Sequence, residues 1–184
     1  MRITRPLTYE SMLQSANKGG CVICALLKSY QSALLEGLRP AELNALCNYH
    51  GWSVAAAAQA RGAAEAFLHL LDTNADLASA AGCDFCGLIQ KEEEIRLQEL
   101  ARIVDDPEVL DWMQTHSALC LPHAKRLPPA QSSEMLAIAA KSRGRLRNGL
   151  KGFLGQLGRG DDSGGGILGR AAEFLFGYRG MPHH

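Results

Sequence analysis

Cysteine and histidine recur in this sequence with a spacing that is typical of metal sites. A CxxC pair is followed by a gap and a CxxH pair, and the same order then occurs a second time. Two intervening residues allow both side chains of a pair to converge on one ion at the start of a helix. Three cysteines and one histidine are a common ligand set of structural zinc sites. The candidate ligands are Cys21, Cys24, Cys47 and His50 in the first copy and Cys83, Cys86, Cys120 and His123 in the second.

Each copy contains one complete ligand set, so we expect two zinc ions, one in each copy. All six cysteines of the chain belong to these motifs. Four protein ligands leave no position for a catalytic water, which favours a structural role for the metal. We predict that each zinc joins the starts of two helices within its own copy, and that loss of either ion unfolds that half of the chain.

Other uses of a CxxC pair fit the surrounding residues less well. A thioredoxin-like redox pair requires a βαβ context, which the sequence does not indicate. Covalent haem requires CxxCH, whereas Ala25 and Gly87 follow the two CxxC pairs. Iron–sulfur clusters usually have four cysteine ligands. Redox dithiols, iron–sulfur ligands and plain core cysteines therefore stand as the alternatives to zinc.

The composition favours a helical protein with a hydrophobic core. Of the 184 residues, 47% are hydrophobic, and alanine and leucine are frequent. The 19 basic and 19 acidic residues cancel, which argues against a surface built as a whole for nucleic acid. No apolar stretch reaches the roughly 18 residues of a membrane helix, and the N-terminus lacks the pattern of a secretory signal. We therefore expect a cytoplasmic protein, in which clustered cysteines bind metal more often than they form disulfides.

Helical patterns follow the CxxC and CxxH pairs. After the first CxxC pair, Leu26 and Leu34 belong to an apolar series with a spacing of four. An alanine-rich helix is predicted from Trp52 to Leu71 after the first CxxH pair. Asp106-Pro107 is typical of the N-cap and first position of a short helix. A further helix is predicted at about residues 130–150.

The duplication and the composition also predict the domain organisation. Residues 1–157 are expected to form one duplicated zinc-binding helical domain, with repeat 1 at about 8–74 and repeat 2 at about 75–157. Residues 158–169 have the composition of a glycine-rich linker, and residues 170–184 are expected to form a short C-terminal helix and tail. The predicted fold class is all-α: a helical bundle of two duplicated units, each held by a Cys3His zinc site.

The motifs resemble those of an all-helical bacterial family, a domain of unknown function with duplicated CxxC…CxxH zinc-ligand motifs. The resemblance is carried by Gly82-Cys83-Asp84-Phe85-Cys86 and by Ala118-Leu119-Cys120-Leu121-Pro122-His123. It covers roughly residues 8 to 127, and it implies a bacterial origin and zinc but no particular activity. Val22 and Asp84 stand where members of the family often have proline.

Several residues outside the motifs have a functional and a simpler interpretation. Glu92, Glu93 and Glu94 could be catalytic carboxylates, but a solvated helix face is favoured. His116 could replace or support a ligand near Cys120, but an ordinary surface histidine is favoured. Because no catalytic triad, phosphate loop or dinucleotide fingerprint is present, we expect no enzyme.

The segment 141–159 is basic and amphipathic and contains no acidic residue. Such a helix can bind nucleic acid, an anionic membrane or an acidic partner, although a peripheral helix that covers the core is the favoured interpretation. The sequence as a whole predicts a zinc-binding helical scaffold that acts as a protein-interaction module, with a protein partner or a second copy of itself. A redox-responsive zinc–thiolate switch, and a binder of nucleic acid or anionic membrane through 141–159, are the alternatives.

Overall fold

The structure of the chain, a computed structural model, describes residues 20–37, 39, 46–56, 60–72, 82–116, 119–157 and 166–177. Within these ranges the chain forms helices and no strand, so the predicted all-α class is confirmed. Among the same residues, no helix combines the length and hydrophobicity that a membrane crossing requires. The helices are α1 (Val22–Glu36), α2 (Asn48–Ala56), α3 (Ala60–Asp72), α4 (Asp84–Ile103), α5 (Pro107–His116), α6 (Leu121–Arg126), α7 (Pro129–Leu157) and α8 (Gly166–Phe176).

The chain divides into two compact units. The first unit comprises the described residues of Met1–Leu26 and Ile95–His184, and the second unit comprises those of Leu27–Glu94. Helices α1 and α4 each contribute residues to both units. The units are therefore assembled differently from the two sequence repeats, because one boundary falls inside each of these helices.

Helices α5 and α6 of the first unit begin where local sequence signals favour a helix start. The backbone N–H of Glu108 donates a hydrogen bond to Oδ1 of Asp106 (2.8 Å), which confirms Asp106 as the N-cap of α5. Cys120 is the N-cap of α6, and proline stands in the first turn of that helix. Proline is well suited to this position because the first N–H groups of a helix have no intrahelical acceptor.

Helices α7 and α8 pack against each other in the first unit. Helix α7 extends to Leu157, beyond the predicted end near residue 150, so the described part of the basic segment is helical. Helix α8 begins at Gly166, within the predicted linker, and residues 158–165 of that linker lie outside the described residues. A Cβ atom at Gly149 would lie 2.8 Å from Cδ1 of Ile167, so glycine permits the close approach of α7 and α8.

The second unit contains α2 and α3 and has its own hydrophobic core. The predicted helix from Trp52 to Leu71 is described as two helices, and residues 57–59 between them lie outside the described residues. Val54 on α2 and Leu70 on α3 belong to one buried cluster, together with Phe85 at the start of α4. Cys83 is also part of this cluster, so a candidate ligand is built into the core.

Candidate metal centres

The structure brings all the candidate ligands together in two clusters, but it pairs the motifs differently from the prediction. The first cluster combines the CxxC pair of the first copy with the CxxH pair of the second, and the second cluster combines the remaining two pairs. The ligand atoms of each cluster lie within 4.8 Å of one another. The predicted quartets, each formed within one copy, are therefore wrong. The first cluster contains Cys21, Cys24, Cys120 and His123, and the second cluster contains Cys47, His50, Cys83 and Cys86.

All four motifs have the same local structure, which explains why the pairing could be exchanged. In each motif the carbonyl of the first cysteine accepts a hydrogen bond from the N–H four residues later, at 2.8 to 3.1 Å. The first cysteine therefore stands at the helix start, and the second ligand lies in the first turn. The exposed N–H groups of a helix start favour thiolates. Each motif thus supplies two ligands at the start of a helix. Either CxxC pair could complete a Cys3His set with either CxxH pair.

The first cluster has the dimensions of a tetrahedral site. Bonds of about 2.3 Å from zinc to sulfur and about 2.0 Å from zinc to nitrogen would place two sulfurs about 3.8 Å apart, and sulfur and nitrogen about 3.5 Å apart. The Sγ atoms of Cys24 and Cys120 are 3.8 Å apart. The Nδ1 atom of His123 lies 3.5 Å from Sγ of Cys24, 3.2 Å from that of Cys21 and 3.1 Å from that of Cys120. All four side chains are buried.

The second cluster has nearly the same dimensions but is more open. The Sγ atoms of Cys47 and Cys86 are 3.7 Å apart. The Nδ1 atom of His50 lies 3.3 Å from Sγ of Cys47, 3.3 Å from Sγ of Cys83 and 3.4 Å from Sγ of Cys86. Cys83 and His50 are buried, whereas Cys47 and Cys86 are partly exposed.

The cysteines of both clusters are free thiols. The sulfur separations of 3.8 and 3.7 Å are far longer than the roughly 2.05 Å of a disulfide bond. Three sulfur atoms and one imidazole nitrogen in this arrangement can act together as the four ligands of one cation.

The thiols of each cluster strongly influence one another's protonation. Burial raises the pKa of Cys21, but hydrogen bonds with Cys120 and Cys24 and the nearby His123 outweigh burial and hold that pKa well below its usual range. The pKa of Cys24 is raised by its hydrogen bonds with Cys120 and Cys21 and by burial. In the second cluster, burial and the neighbouring Cys83 raise the pKa of Cys86 to about 12. Close thiolates repel each other, so three deprotonated sulfurs require a cation among them.

His50 is the most deeply enclosed ligand of the second cluster. Its side chain has no solvent exposure, and its ring lies 5.0 Å from the ring of Tyr49 and 5.5 Å from that of Phe85, measured between centroids. Its Nε2 atom has no hydrogen-bond partner among the described residues. A histidine that binds metal through Nδ1 carries its proton on Nε2. The ring is therefore held by packing against aromatic neighbours rather than by an acceptor for its second nitrogen.

The three adjacent glutamates of α4 have different solvent exposure. Glu92 and Glu93 are only 5% and 2% exposed, so the solvated face is the wrong interpretation for these two, whereas Glu94 is exposed. Their burial follows the helical period, because Ile89, Glu92, Glu93, Arg96 and Leu97 fall on one stripe of α4. That spacing was visible in the sequence and could have identified the two buried carboxylates.

His116 belongs to neither cluster and is exposed, as expected for a surface histidine. Its Nδ1 atom lies 2.9 Å from the backbone carbonyl of Trp112, and its ring stacks on the Trp112 ring with centroids 4.9 Å apart. Because a carbonyl only accepts, Nδ1 is the donor of this bond.

Comparisons with family models, with curated proteins and with solved structures find no match for the chain. The resemblance to the bacterial zinc-motif family therefore rests on the motifs alone.

Proposed function

We propose that each cluster binds one zinc ion and that the chain is a zinc-stabilised helical scaffold for protein interaction. The observation that carries the proposal is that the separations of the ligand atoms in both clusters lie within about 0.4 Å of the edges of a zinc tetrahedron. Three thiolates and one imidazole favour zinc over the harder cations magnesium and calcium. Since all four ligands come from the protein, the expected role of the metal is structural.

The side chains of the two clusters would supply all the ligands of the bound ions. The cysteines would bind as thiolates at helix starts, where N–H groups and the helix dipole offset part of their negative charge. His50 and His123 would bind through Nδ1, the ring nitrogen that faces the sulfurs in each cluster. Bound zinc supplies a positive charge and four directional bonds, which fix the helix starts that carry the ligands.

The two sites would stabilise different parts of the chain. In the first unit, the start of α1 would be joined to the start of α6. In the second unit, the start of α2 would be joined to the start of α4. Structural zinc contributes about 10–16 kcal/mol of apparent binding free energy in small domains. Because a folded domain is typically stable by only about 5–15 kcal/mol, metal binding would decide whether each unit folds.

Exposed apolar side chains in the second unit support a role in protein interaction. Trp52 on α2 is 72% exposed, and Leu68 and Leu71 on α3 are 59% and 68% exposed. Large exposed apolar side chains are a common feature of surfaces that bind another protein or a second copy. We expect the triple substitution W52A/L68A/L71A to leave zinc content unchanged and to weaken self-association or partner binding. Sedimentation velocity over a range of concentrations would measure the self-association.

Metal analysis of the natively purified protein tests the proposal. Inductively coupled plasma mass spectrometry should find close to two zinc ions per chain, and cobalt substitution should give the visible bands of tetrahedral cobalt with thiolate ligands. A chain that folds fully with no bound metal, or that carries iron with the absorption of an iron–sulfur cluster, would contradict the proposal.

A redox-responsive switch is the second candidate, and the partial exposure of Cys47 and Cys86 favours it. Hydrogen peroxide would take two electrons from two thiolates of the second cluster, giving one disulfide and, with two protons, two water molecules. The zinc ion would then be released from that cluster. Release by a small excess of peroxide, reversed by a thiol reductant, would favour the switch over a permanent structural site.

A further inference from the structure

A cleft of about 430 Å³ lies beside the first cluster, within the first unit. Cys21 and Cys120 contribute to its lining, and residues of α7 and α8 supply most of the rest. Sites for small molecules usually have volumes of roughly 300–1,000 Å³ and a mostly apolar lining. The cleft therefore has the size of a ligand site.

The interior of the cleft is apolar. Leu119 and Phe174 are buried residues of its lining, and Leu146 is half-buried on α7. The side chain of Ile167 lies against Gly149, where an added Cβ atom would be 2.8 Å from Cδ1 of Ile167. An apolar ligand body would gain free energy by leaving water for this surface.

The charged residues of the lining favour an anion. Arg145 on α7 and Arg170 on α8 contribute two guanidinium groups, against the one carboxylate of Glu173. Both arginines are exposed, so their charged ends can reach a ligand at the opening of the cleft. Guanidinium groups bind carboxylates and phosphates through paired hydrogen bonds.

We propose that this cleft binds a small amphipathic anion, with an apolar body in the interior and a carboxylate or phosphate group held by Arg145 and Arg170. The ligand class follows from the combination of an apolar lining with two arginines contributed by separate helices. None of the contacts that define the ligand class uses the metal, so the ligand class is argued independently of the identity of the ion in the first cluster.

Calorimetric titration of the purified full-length protein with decanoate, decyl phosphate and decanol tests the proposal. The three probes have the same apolar body and differ in the head group. At least one anionic probe should bind at least about tenfold more tightly than decanol, because charge-assisted hydrogen bonds are made only with the anions. The tighter of the two anions identifies the head group. Equal binding of all three, or no binding of the anions, would overturn the proposal.

Two pairs of substitutions on the protein locate the anion. The double variant R145Q/R170Q should lose at least about tenfold in affinity for the anionic probe and bind decanol unchanged. The matched control R143Q/R147Q removes two exposed arginines of α7 that do not line the cleft, and it should bind the anion as the unsubstituted protein does. An equal loss in both double variants would mean general electrostatic attraction and would overturn the assigned site.

The fluorescence of Trp112 can report a ligand bound in the cleft of the first unit. His116 lines the cleft and stacks on the Trp112 ring, so a ligand in the cleft should change the emission of that tryptophan. The chain has two tryptophans, and a W52F background leaves Trp112 as the emitter. The emission should change with the same midpoint as the calorimetric titration. Constant emission at saturating decanoate or decyl phosphate would place the ligand elsewhere and overturn the proposal.

Discussion

The Sγ atom of Cys21 lies 3.2 Å from the Nδ1 atom of His123, although the two residues are 102 positions apart in the chain. In the second cluster, Cys83 and His50 have a corresponding distance of 3.3 Å over a separation of 33 positions. A metal in the first cluster would therefore close the longer loop of the unfolded chain. In the simplest view of chain entropy, closing a longer loop stabilises the folded state more.

Each cluster combines the CxxC pair of one copy with the CxxH pair of the other, and this pairing makes a direct prediction about zinc content. The double variant C21A/H123A changes two ligands of the first cluster only, so it should retain one zinc ion in the second cluster. The double variant C21A/H50A changes one ligand in each cluster, so it should retain none. Zinc per chain, measured by mass spectrometry on purified protein, separates the two expectations.

His116→Ala is the matched control for these variants, because His116 is a histidine of the first unit that belongs to neither cluster. It should retain both zinc ions. The opposite result for the double variants, with one zinc in C21A/H50A and none in C21A/H123A, would restore the pairing of motifs within each copy.

A second prediction concerns the start of α5. Asp106→Ala removes the acceptor of the hydrogen bond from the Glu108 N–H and should lower the free energy of unfolding by about 1 kcal/mol. Asp106→Asn keeps an acceptor oxygen and should lower the free energy of unfolding much less. Urea unfolding of the zinc-bound protein, followed by circular dichroism, measures both changes.

Asp111→Ala is the control for the cap, because Asp111 is an exposed residue of the same helix. This substitution should change the free energy of unfolding by no more than about 0.5 kcal/mol. A loss at Asp111 as large as that at Asp106 would mean that the negative charge of α5, and not the cap, sets its stability.

The features that could be predicted from the sequence are the local ones. The helix start at Asp106 was predicted correctly, since a capping residue and the proline after it determine the start within one turn. The i, i+3 spacing likewise determines the pairs of ligands. The residues of both clusters were therefore identified, even though their assignment to zinc is a proposal.

The features that could not be predicted depend on contacts between distant residues. Two CxxC pairs and two CxxH pairs can be combined in more than one way, and only the packing of the helices selects Cys21 with His123. The chain order suggested the wrong choice, because a duplicated sequence need not fold as two separate repeats. Glu92 and Glu93 show another limit: their charge suggested solvent, while their place in the apolar stripe of α4 determined their burial.

A third prediction concerns the ring nitrogen of His50 that faces away from the metal site. The buried Nε2 atom has no acceptor among the described residues, and an unsatisfied buried donor costs about 1–3 kcal/mol. His50→Cys provides a sulfur ligand without such a donor, so the variant should still bind two zinc ions per chain. His50→Ala has no ligand at this position and should bind one. If His50→Cys also lost one zinc ion, the imidazole itself would be required.

The two clusters should differ in how quickly they release zinc. Cys47 and Cys86 of the second cluster are partly exposed, whereas the ligands of the first cluster are at most 8% exposed. A chelator can approach the second site directly, but the first must open before attack. We expect two phases of zinc transfer to a chromogenic chelator, with rates at least about tenfold apart. A difference of at least tenfold corresponds to a free energy of at least about 1.4 kcal/mol for opening the first site.

Single-site variants assign the two phases. His123→Ala leaves only the second cluster intact and should show the fast phase alone, and His50→Ala leaves only the first cluster intact and should show the slow phase alone. Each variant removes the same type of ligand, so the comparison depends on the environment of the remaining site. Equal release rates in the two variants would show that the exposure of Cys47 and Cys86 does not control access to the metal.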